Sequence, residues 1–405
     1  MAITLPALPV EIWEQIFDEV LDDLGVQTSC NINNFHRFIY TDGSECEVEA
    51  RRRNLAAVCQ SWQDIADTYA FRSLTIPENT PLAPGTPIHS VRRLCFKRRS
   101  TLYGRLEPLA AEALDRWYNW IKASQGLAVL EIDMVDDIDP AYPLKVLLDC
   151  AKSVKRLRSL RLRWDSSRYP VSLSLSNLST SYLEITTLEL GRLPPTAEPL
   201  CLPNLQVLII EISEPSNLVW AFSKWRLPRL QYLSALLGNH WVDAPFELGA
   251  FQPFASHLVA LHLTAALWVH SPTVGYQSPV LPFDLNYFPS LQYLTLCNIP
   301  LLISTPLDAR HPLHTISARS WDQSAFMKLT SFPPNAFRTI QTITIRIECH
   351  SWGYSGGWQE DPSPFNSACD SLDRLVLEGN IILLDGNGLT IREWAEQVEK
   401  ESWLE

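Results

Sequence analysis

The most enzyme-like string in this chain is Gly353-Tyr354-Ser355-Gly356-Gly357, which matches G-x-S-x-G, the sharp turn that raises a nucleophilic serine above a sheet. It follows a strand-like segment, as such a turn should. A nucleophile elbow leads directly into a helix, however, and here Asp361-Pro362-Ser363-Pro364 breaks any helix soon after Ser355. The base histidine of that chemistry also follows the serine in the chain, whereas the last histidine here is His350. Ser355 is therefore not read as catalytic. His311 and His314 flank Pro312 with no neighbouring thiol or carboxylate set, so they do not form a metal site. The paired acids Asp22-Asp23 and Asp136-Asp137 fall at helix ends and turns, the usual solvated positions. Neither G-x-x-x-x-G-K-[ST] nor G-x-G-x-x-G occurs, which leaves no phosphate cradle. The sequence thus predicts no catalytic residue, no metal and no cofactor.

The bulk numbers narrow the classes further. A chain of 405 residues that is 46% hydrophobic can bury ample core. Its formal charge of −12 argues against a broad nucleic-acid footprint, which needs an excess of Lys and Arg on one face. The local clusters Arg51-Arg52-Arg53, Arg92-Arg93 and Lys97-Arg98-Arg99 read either as solvated faces or as an import signal or partner contact. Nine cysteines, odd in number and with no C-x-x-C pair, form neither a disulfide framework nor a zinc site. No signal peptide and no membrane span is expected, because acidic residues interrupt the early apolar stretch and no apolar run approaches the length a span requires. A reducing compartment, cytoplasmic or nuclear, fits this pattern.

The elements that organise the chain are short and repeated. From about residue 88, L-x-x-L-x-L or a close variant recurs at Leu127-Leu130-Ile132, Leu157-Leu160-Leu162, Ile185-Leu188-Leu190, Leu205-Leu208-Ile210, Leu258-Leu261-Leu263, Leu291-Leu294-Leu296, Ile340-Ile343-Ile345 and Leu372-Leu375-Leu377. Weaker copies stand at Val91-Leu94-Phe96, Leu230-Leu233-Ala235 and Leu313-Ile316-Ala318. The spacing averages about 28 residues, within the range of leucine-rich repeats, in which one strand and one return segment per unit stack into a shared core. Prolines at 203, 228 and 289 each precede a motif by two residues and keep the preceding segment from running on as helix. Helical return segments are expected at 107–124, 143–154 and 216–225, with an amphipathic helix over 389–403 capping the last repeat.

Strand alternation turns the motif leucines inward and the residues between them toward the concave surface. Arg161, Arg163, Glu189, Glu211, Tyr232, His262, Tyr293, Arg319, Arg346 and Arg374 are the expected exposed positions there. Just past several strands stand Trp164, Trp241, Trp268, Trp321 and Trp352. Their rings either form a partner-binding ridge or fill crevices between repeats. The candidate target-binding set is Arg161, Arg163, Trp164, Tyr232, Trp241, His262, Trp268, Tyr293, Arg319 and Trp321.

The N-terminal segment has helical rather than repeat periodicity. Pro9 suits the first turn of a helix, and Ile12, Trp13, Ile16, Phe17, Val20, Leu21 and Leu24 form two adjacent apolar stripes. A second helix over 53–69 carries Leu55, Val58, Cys59, Trp62, Ile65 and Ala66. Two short helices cannot hide all of that surface against each other, so part of it meets either the rest of the chain or another protein.

The strings Leu8-Pro9-Val10-Glu11-Ile12, Ile16-Phe17, Leu55-Ala56-Ala57-Val58-Cys59-Gln60-Ser61-Trp62-Gln63-Asp64-Ile65-Ala66 and Phe71-Arg72-Ser73-Leu74 together resemble the F-box, over roughly the first fifth of the chain. The resemblance is to F-box proteins with C-terminal leucine-rich repeats of the fungal type. It implies docking onto the Skp-type adaptor of a cullin ubiquitin ligase through Leu8, Pro9, Ile12, Ile16, Val58 and Trp62, with the repeats holding a target protein. A polar stretch at about 25–50 is inserted where typical F-boxes have none.

The sequence therefore predicts an α/β chain: an F-box-like helical module at 1–77, an irregular leucine-rich-repeat solenoid or horseshoe at 88–379, and a capping segment at 380–405. Its expected role is target recognition within an SCF-type ligase. The alternative is a non-catalytic repeat scaffold whose N-terminal helices cap the solenoid.

Overall fold

The computed structural model describes residues 12–13, 15–17, 52–69, 72–77, 86–97, 111–134, 141–164, 174–192, 198–212, 221–237, 248–265, 281–297, 301–303, 310–319, 343–347 and 381–385. The chain divides into two compact units, one of Met1–Leu173 with Thr180–Gly191 and one of Ser174–Ser179 with Arg192–Glu405.

A single local device recurs in both units. Ahead of six of the described strands the chain makes a β-turn whose fourth residue is the first motif leucine or isoleucine. The N–H groups of Leu127, Leu157 and Ile185 donate to the carbonyls of Ser124, Val154 and Tyr182 at 3.0, 3.4 and 3.1 Å. In the second unit Leu205, Leu230 and Leu291 donate to Leu202, Leu227 and Phe288 at 3.2, 3.1 and 3.0 Å. Pro203, Pro228 and Pro289 thus occupy the second position of the turn, where a φ near −65° is required and no N–H is needed. Immediately after the turns at Leu127, Leu157, Ile185, Leu230 and Leu291, one carbonyl of the preceding repeat accepts two successive N–H groups. Arg92 accepts from Ala128 and Val129, Ala128 from Arg158 and Ser159, and, after Leu258, Gln231 from Val259 and Ala260.

That clamp sets the register of the strands. In the first unit β1 (Ser73–Pro77), β2 (Arg93–Lys97), β3 (Val129–Met134), β4 (Ser159–Trp164) and β5 (Thr187–Arg192) pair in chain order, all parallel. In the second, β6 (Val207–Ile212), β7 (Tyr232–Leu237), β8 (Ala260–Ala265), β10 (Tyr293–Cys297), β12 (Thr315–Arg319), β13 (Ile343–Ile347) and β14 (Ile381–Asp385) do the same. Strands β9 (Leu281–Phe283) and β11 (Leu301–Ile303) form a separate parallel pair. Parallel neighbours need a crossover, and the return segments supply it.

The register turns sequence repeats into columns. Leu94, Leu130, Leu160 and Leu188 stand side by side in the first unit, and Leu208, Leu233, Leu261, Leu294 and Ile316 in the second; all are fully buried or nearly so. Burying each is worth about 1.5–3 kcal/mol, and no repeat can do so alone. This is the architecture of an α/β leucine-rich-repeat stack.

The return segments differ between units. In the first they include α-helices: with Gln60–Tyr69 of the N-terminal segment as α1, these are α2 (Ala111–Ala123) and α3 (Ala141–Ala151). Trp117 of α2 stacks on Phe96 of β2 with ring centroids 4.7 Å apart. Pro143 sits in the first turn of α3, which begins slightly ahead of the expected 143–154. Short helix α4 (Leu175–Ser181) follows β4. In the second unit the described returns include 3₁₀ turns such as Leu248–Phe251 and Leu285–Tyr287, and the helix expected at 216–225 is described only at 221–224.

Several expectations are corrected. The helix expected over 53–69 is broken: Val58 N–H donates to Leu55 at 3.1 Å, a three-residue turn, and helical bonding resumes with Gln63 to Cys59 at 2.9 Å. Val58 and Cys59 are both weak helix formers. Strand β1, counted with the helical module by sequence, belongs to the repeat ladder, since Arg72 C=O accepts from Arg92 and Arg93 N–H in the same two-donor clamp. The last described strand is Ile381–Asp385, within the segment expected to cap the array. The copy at 372–377 and the helix expected over 389–403 lie outside the described residues.

Candidate functional site

Three groups of side chains stand out, and the first lies at the N-terminal helices. Phe17, Ala66 and Tyr69 form a buried cluster with Leu55, Ala56, Trp62 and Ile65 packed against it. Trp62 meets Phe17 and Trp13 edge to face, with centroids 5.4 and 5.0 Å apart. The Arg72 guanidinium carbon lies 3.6 Å from the centroid of the Tyr69 ring, a cation–π contact. The aromatic interior is thus filled from within. Of the six candidate adaptor-binding residues, Ile12 is 39% exposed and Val58 is 53% exposed, while Ile16 and Trp62 are half-buried. The break after residue 56 is what lifts Val58 onto the corner. Leu8 and Pro9 lie outside the described residues.

The second group is a charged ladder on the face of the first unit's sheet opposite the leucine columns. Register places Cys95, Glu131, Arg161 and Glu189 in one row, and Lys97, Asp133 and Arg163 in the next. Glu131 accepts from Arg93 Nε at 3.2 Å and Nη2 at 2.9 Å on one side, and from Arg161 Nη1 at 2.9 Å on the other. Glu189 lies 3.7 Å from Arg161 Nε and 2.6 Å from Arg163 Nε. Burial alone would discourage ionisation of Glu131, but Arg161 and Arg93 outweigh it and pull the carboxyl down from 4.5 to about 2. For Arg163, burial is likewise outweighed by Glu189, so its guanidinium is held even more firmly protonated than usual.

The third group is the corresponding face of the second unit, which is neutral. Ser234, His262, Thr295 and Ser317 form one in-register row, all buried. His262 Nδ1 is 2.8 Å from Ser234 Oγ, and its Nε2 is 3.0 Å from Thr264 Oγ1 and 3.6 Å from Cys297 Sγ.

Two residues expected to be exposed are not: Tyr232 is 4% and His262 is 2% exposed. Each stands in mid-sheet with strand neighbours about 4.8 Å away on both sides, and that lateral cover is what alternation alone ignores. Arg161 belongs to the ladder, and Arg163 ends its described ion pairs. Tyr293 is half-buried and meets His314 edge to face at 4.2 Å. Trp164 and Arg319 are the last residues of β4 and β12, their side chains outside the described set, and Trp241, Trp268 and Trp321 lie outside it altogether.

His311 has a local role. Its Nδ1 accepts from Leu313 N–H at 3.1 Å, so Nε2 carries the proton and donates to Leu285 and Phe288 carbonyls, each 3.0 Å away, tying down the end of a 3₁₀ turn. Among the described residues no group of three or more His, Cys, Asp or Glu could hold a metal ion, and no helix is long and apolar enough to cross a membrane. The G-x-S-x-G string at 353–357 falls outside the described residues.

Sequence reasoning picked out Arg161, Arg163 and His262 but missed their partners Arg93, Glu131, Ser234, Thr264 and Cys297. The available signal was the repeat phase: each of these follows the first motif residue by two, four or six positions, on the face opposite the core.

No protein-family model matches the chain, and no curated protein matches it. Among solved structures it is similar to an internalin from Listeria monocytogenes, at 12% identity over 82% of this chain and 86% of the internalin, with a TM-score of 0.31. It is also similar to a protein from Bacteroides fragilis, at 14% identity over 62% of this chain and 66% of that one, with a TM-score of 0.27. Likenesses this distant add nothing to the fold, which rests on the in-register leucine columns.

Proposed function

We propose that this protein is the substrate-recognition subunit of an SCF-type ubiquitin ligase: its N-terminal helices bind a Skp-type adaptor within the cullin ligase core, and its repeats hold a target protein. Catalysis in this reading is proximity alone, the receptor raising the concentration of target lysines near a ubiquitin thioester carried by another subunit. No enzymatic site, cofactor, membrane contact or nucleic-acid contact belongs to it, and its compartment is cytoplasmic or nuclear.

The single observation that supports this reading is the exposure of Ile12 and Val58 beside a helix cluster whose interior is already filled by Phe17, Ala66 and Tyr69. Aliphatic side chains left outside a closed core are surface that a second polypeptide can bury. The test is a pull-down of the intact chain with purified Skp-type adaptor. Binding is expected, with loss in Val58→Asp and no change in thermal midpoint, because an exposed valine contributes little to stability. A folded chain that does not bind, or a variant that binds equally well, refutes the adaptor role.

A second reading, a repeat scaffold capped by its N-terminal helices, is favoured by Arg72: its carbonyl joins β2 while its guanidinium covers Tyr69 of α1. Helices and first repeat are thereby tied at one residue.

A further inference from the structure

The neutral row of the second unit contains an arrangement that the repeat architecture does not require. Register sets Ser234 opposite His262 on neighbouring strands, and Thr264 opposite Cys297 on the next pair. The imidazole of His262 therefore lies between a hydroxyl on one side and a thiol with a second hydroxyl on the other. A thiol within hydrogen-bond reach of an imidazole, itself oriented by a third group, is the geometry of an activated sulfur nucleophile. Two other cysteines provide contrast. Cys150 donates to the Tyr118 carbonyl at 3.4 Å and burial raises its pKa, while Cys95 lies in the charged row beside Glu131.

We propose that Cys297 is a peroxide-reactive thiol activated by His262, so that the second unit carries an oxidisable site on the face of its sheet. With Nδ1–H donating to Ser234 Oγ, Nε2 is the acceptor for the Cys297 thiol proton. The thiolate attacks one oxygen of hydrogen peroxide, an S–O bond forms and the O–O bond breaks. The departing hydroxide takes the proton back from Nε2 and leaves as water. Cys297 becomes a sulfenic acid, the sulfur losing the two electrons that the peroxide gains, and His262 returns to its neutral form. Access follows the sheet: Leu236, Thr264 and Cys297 share one row, which runs from an exposed residue through a half-buried one to the thiol. Oxidation adds a hydrogen-bonding oxygen to a surface that holds no charged side chain in β7, β8 or β10.

The experiment exposes the intact folded chain to dilute hydrogen peroxide in the presence of dimedone and follows labelling of each cysteine by peptide mass spectrometry. Cys297 is expected to label roughly tenfold faster than Cys95 and Cys150, which are just as enclosed, because reactivity follows thiolate content. His262→Gln is expected to remove that advantage and Ser234→Ala to reduce it. Labelling of Cys297 no faster than that of Cys95 and Cys150 overturns the proposal in the unmodified protein, whatever the variants do. An undiminished rate in a His262→Gln chain with unchanged circular dichroism overturns the role of the histidine.

Discussion

Replacing Glu131 by glutamine tests the charged ladder at its centre. The carboxylate is held by Arg93 on one flank and Arg161 on the other, and its side chain is 9% exposed, so solvent screens the pairs only weakly. The pKa falls from 4.5 to about 2 on folding, a shift worth roughly 3 kcal/mol at about 1.4 kcal/mol per unit. The sign follows from the direction. A depressed carboxylate stabilises the fold fully above its unfolded value, and that contribution is lost as pH falls from about 4.5 toward about 2. Arg161 retains Glu189 at 3.7 Å and Arg93 retains Ser73 at 3.2 Å, so the variant leaves neither guanidinium wholly unpaired, and the cost sits at the low end of the 3–5 kcal/mol seen for broken buried pairs. Urea unfolding of both chains from pH 7 to pH 2 is the assay. Glu131→Gln should be less stable by about 3 kcal/mol at neutral pH, with the two curves converging at the acid end. A difference below about 1 kcal/mol at pH 7, or one independent of pH, would show that the ladder is not energetically coupled to folding.

Two further outcomes are expected. Trp117 is fully buried on Phe96 and its Nε1 has no hydrogen-bond partner among the described residues, so Trp117→Phe should cost no more than about 1 kcal/mol in urea unfolding, while Trp117→Ala should cost about 3–5; equal losses would mean that the indole N–H is paired after all. A chain beginning at Arg72 keeps β1 over the edge of β2, whereas one beginning at Thr86 uncovers that edge. The longer chain should run as a monomer in size-exclusion chromatography with light scattering and the shorter should self-associate, and identical behaviour would assign the capping role to the helices instead.

The repeat was legible because burial of leucine is a one-dimensional signal. Each copy from Val91-Leu94-Phe96 to Ile340-Ile343-Ile345 falls on a described strand, since a residue with a fixed phase on a stacked strand is buried whatever its neighbours do. The turn prolines were legible too, although as breakers of the previous segment rather than as the second residue of the turn itself. Exposure on the opposite face was not legible, because it depends on which residue of the next repeat lies alongside. With intervals of about 20 to 36 residues between copies, Ser234 and His262 are adjacent only once the clamp at Gln231 has fixed the register. The break at Val58 was hidden for a related reason. The apolar spacing across 53–69 suits one helix, and what competes with it is the packing of Trp62 and Phe17 from two segments far apart in sequence.

The two units solve the same electrostatic problem in different ways. A parallel, in-register stack sets equivalent side chains about 4.8 Å apart, so a row of one charge sign would repel along its whole length. The first unit alternates signs along the row at Glu131, Arg161 and Glu189, with Arg93 reaching Glu131 from the adjacent row, and the second removes charge from the row altogether at Ser234, His262, Thr295 and Ser317. Either solution makes the middle of the face a largely buried layer held by ion pairs or hydrogen bonds, and a partner that displaced it would first have to break them. A target of the kind proposed would therefore meet residues that these rows leave accessible. Arg163 ends the described ion pairs of the ladder, Leu236 stands exposed beside Thr264, and Tyr293 is open at one edge against His314. Tyr232 and His262, both buried, shape the face from beneath.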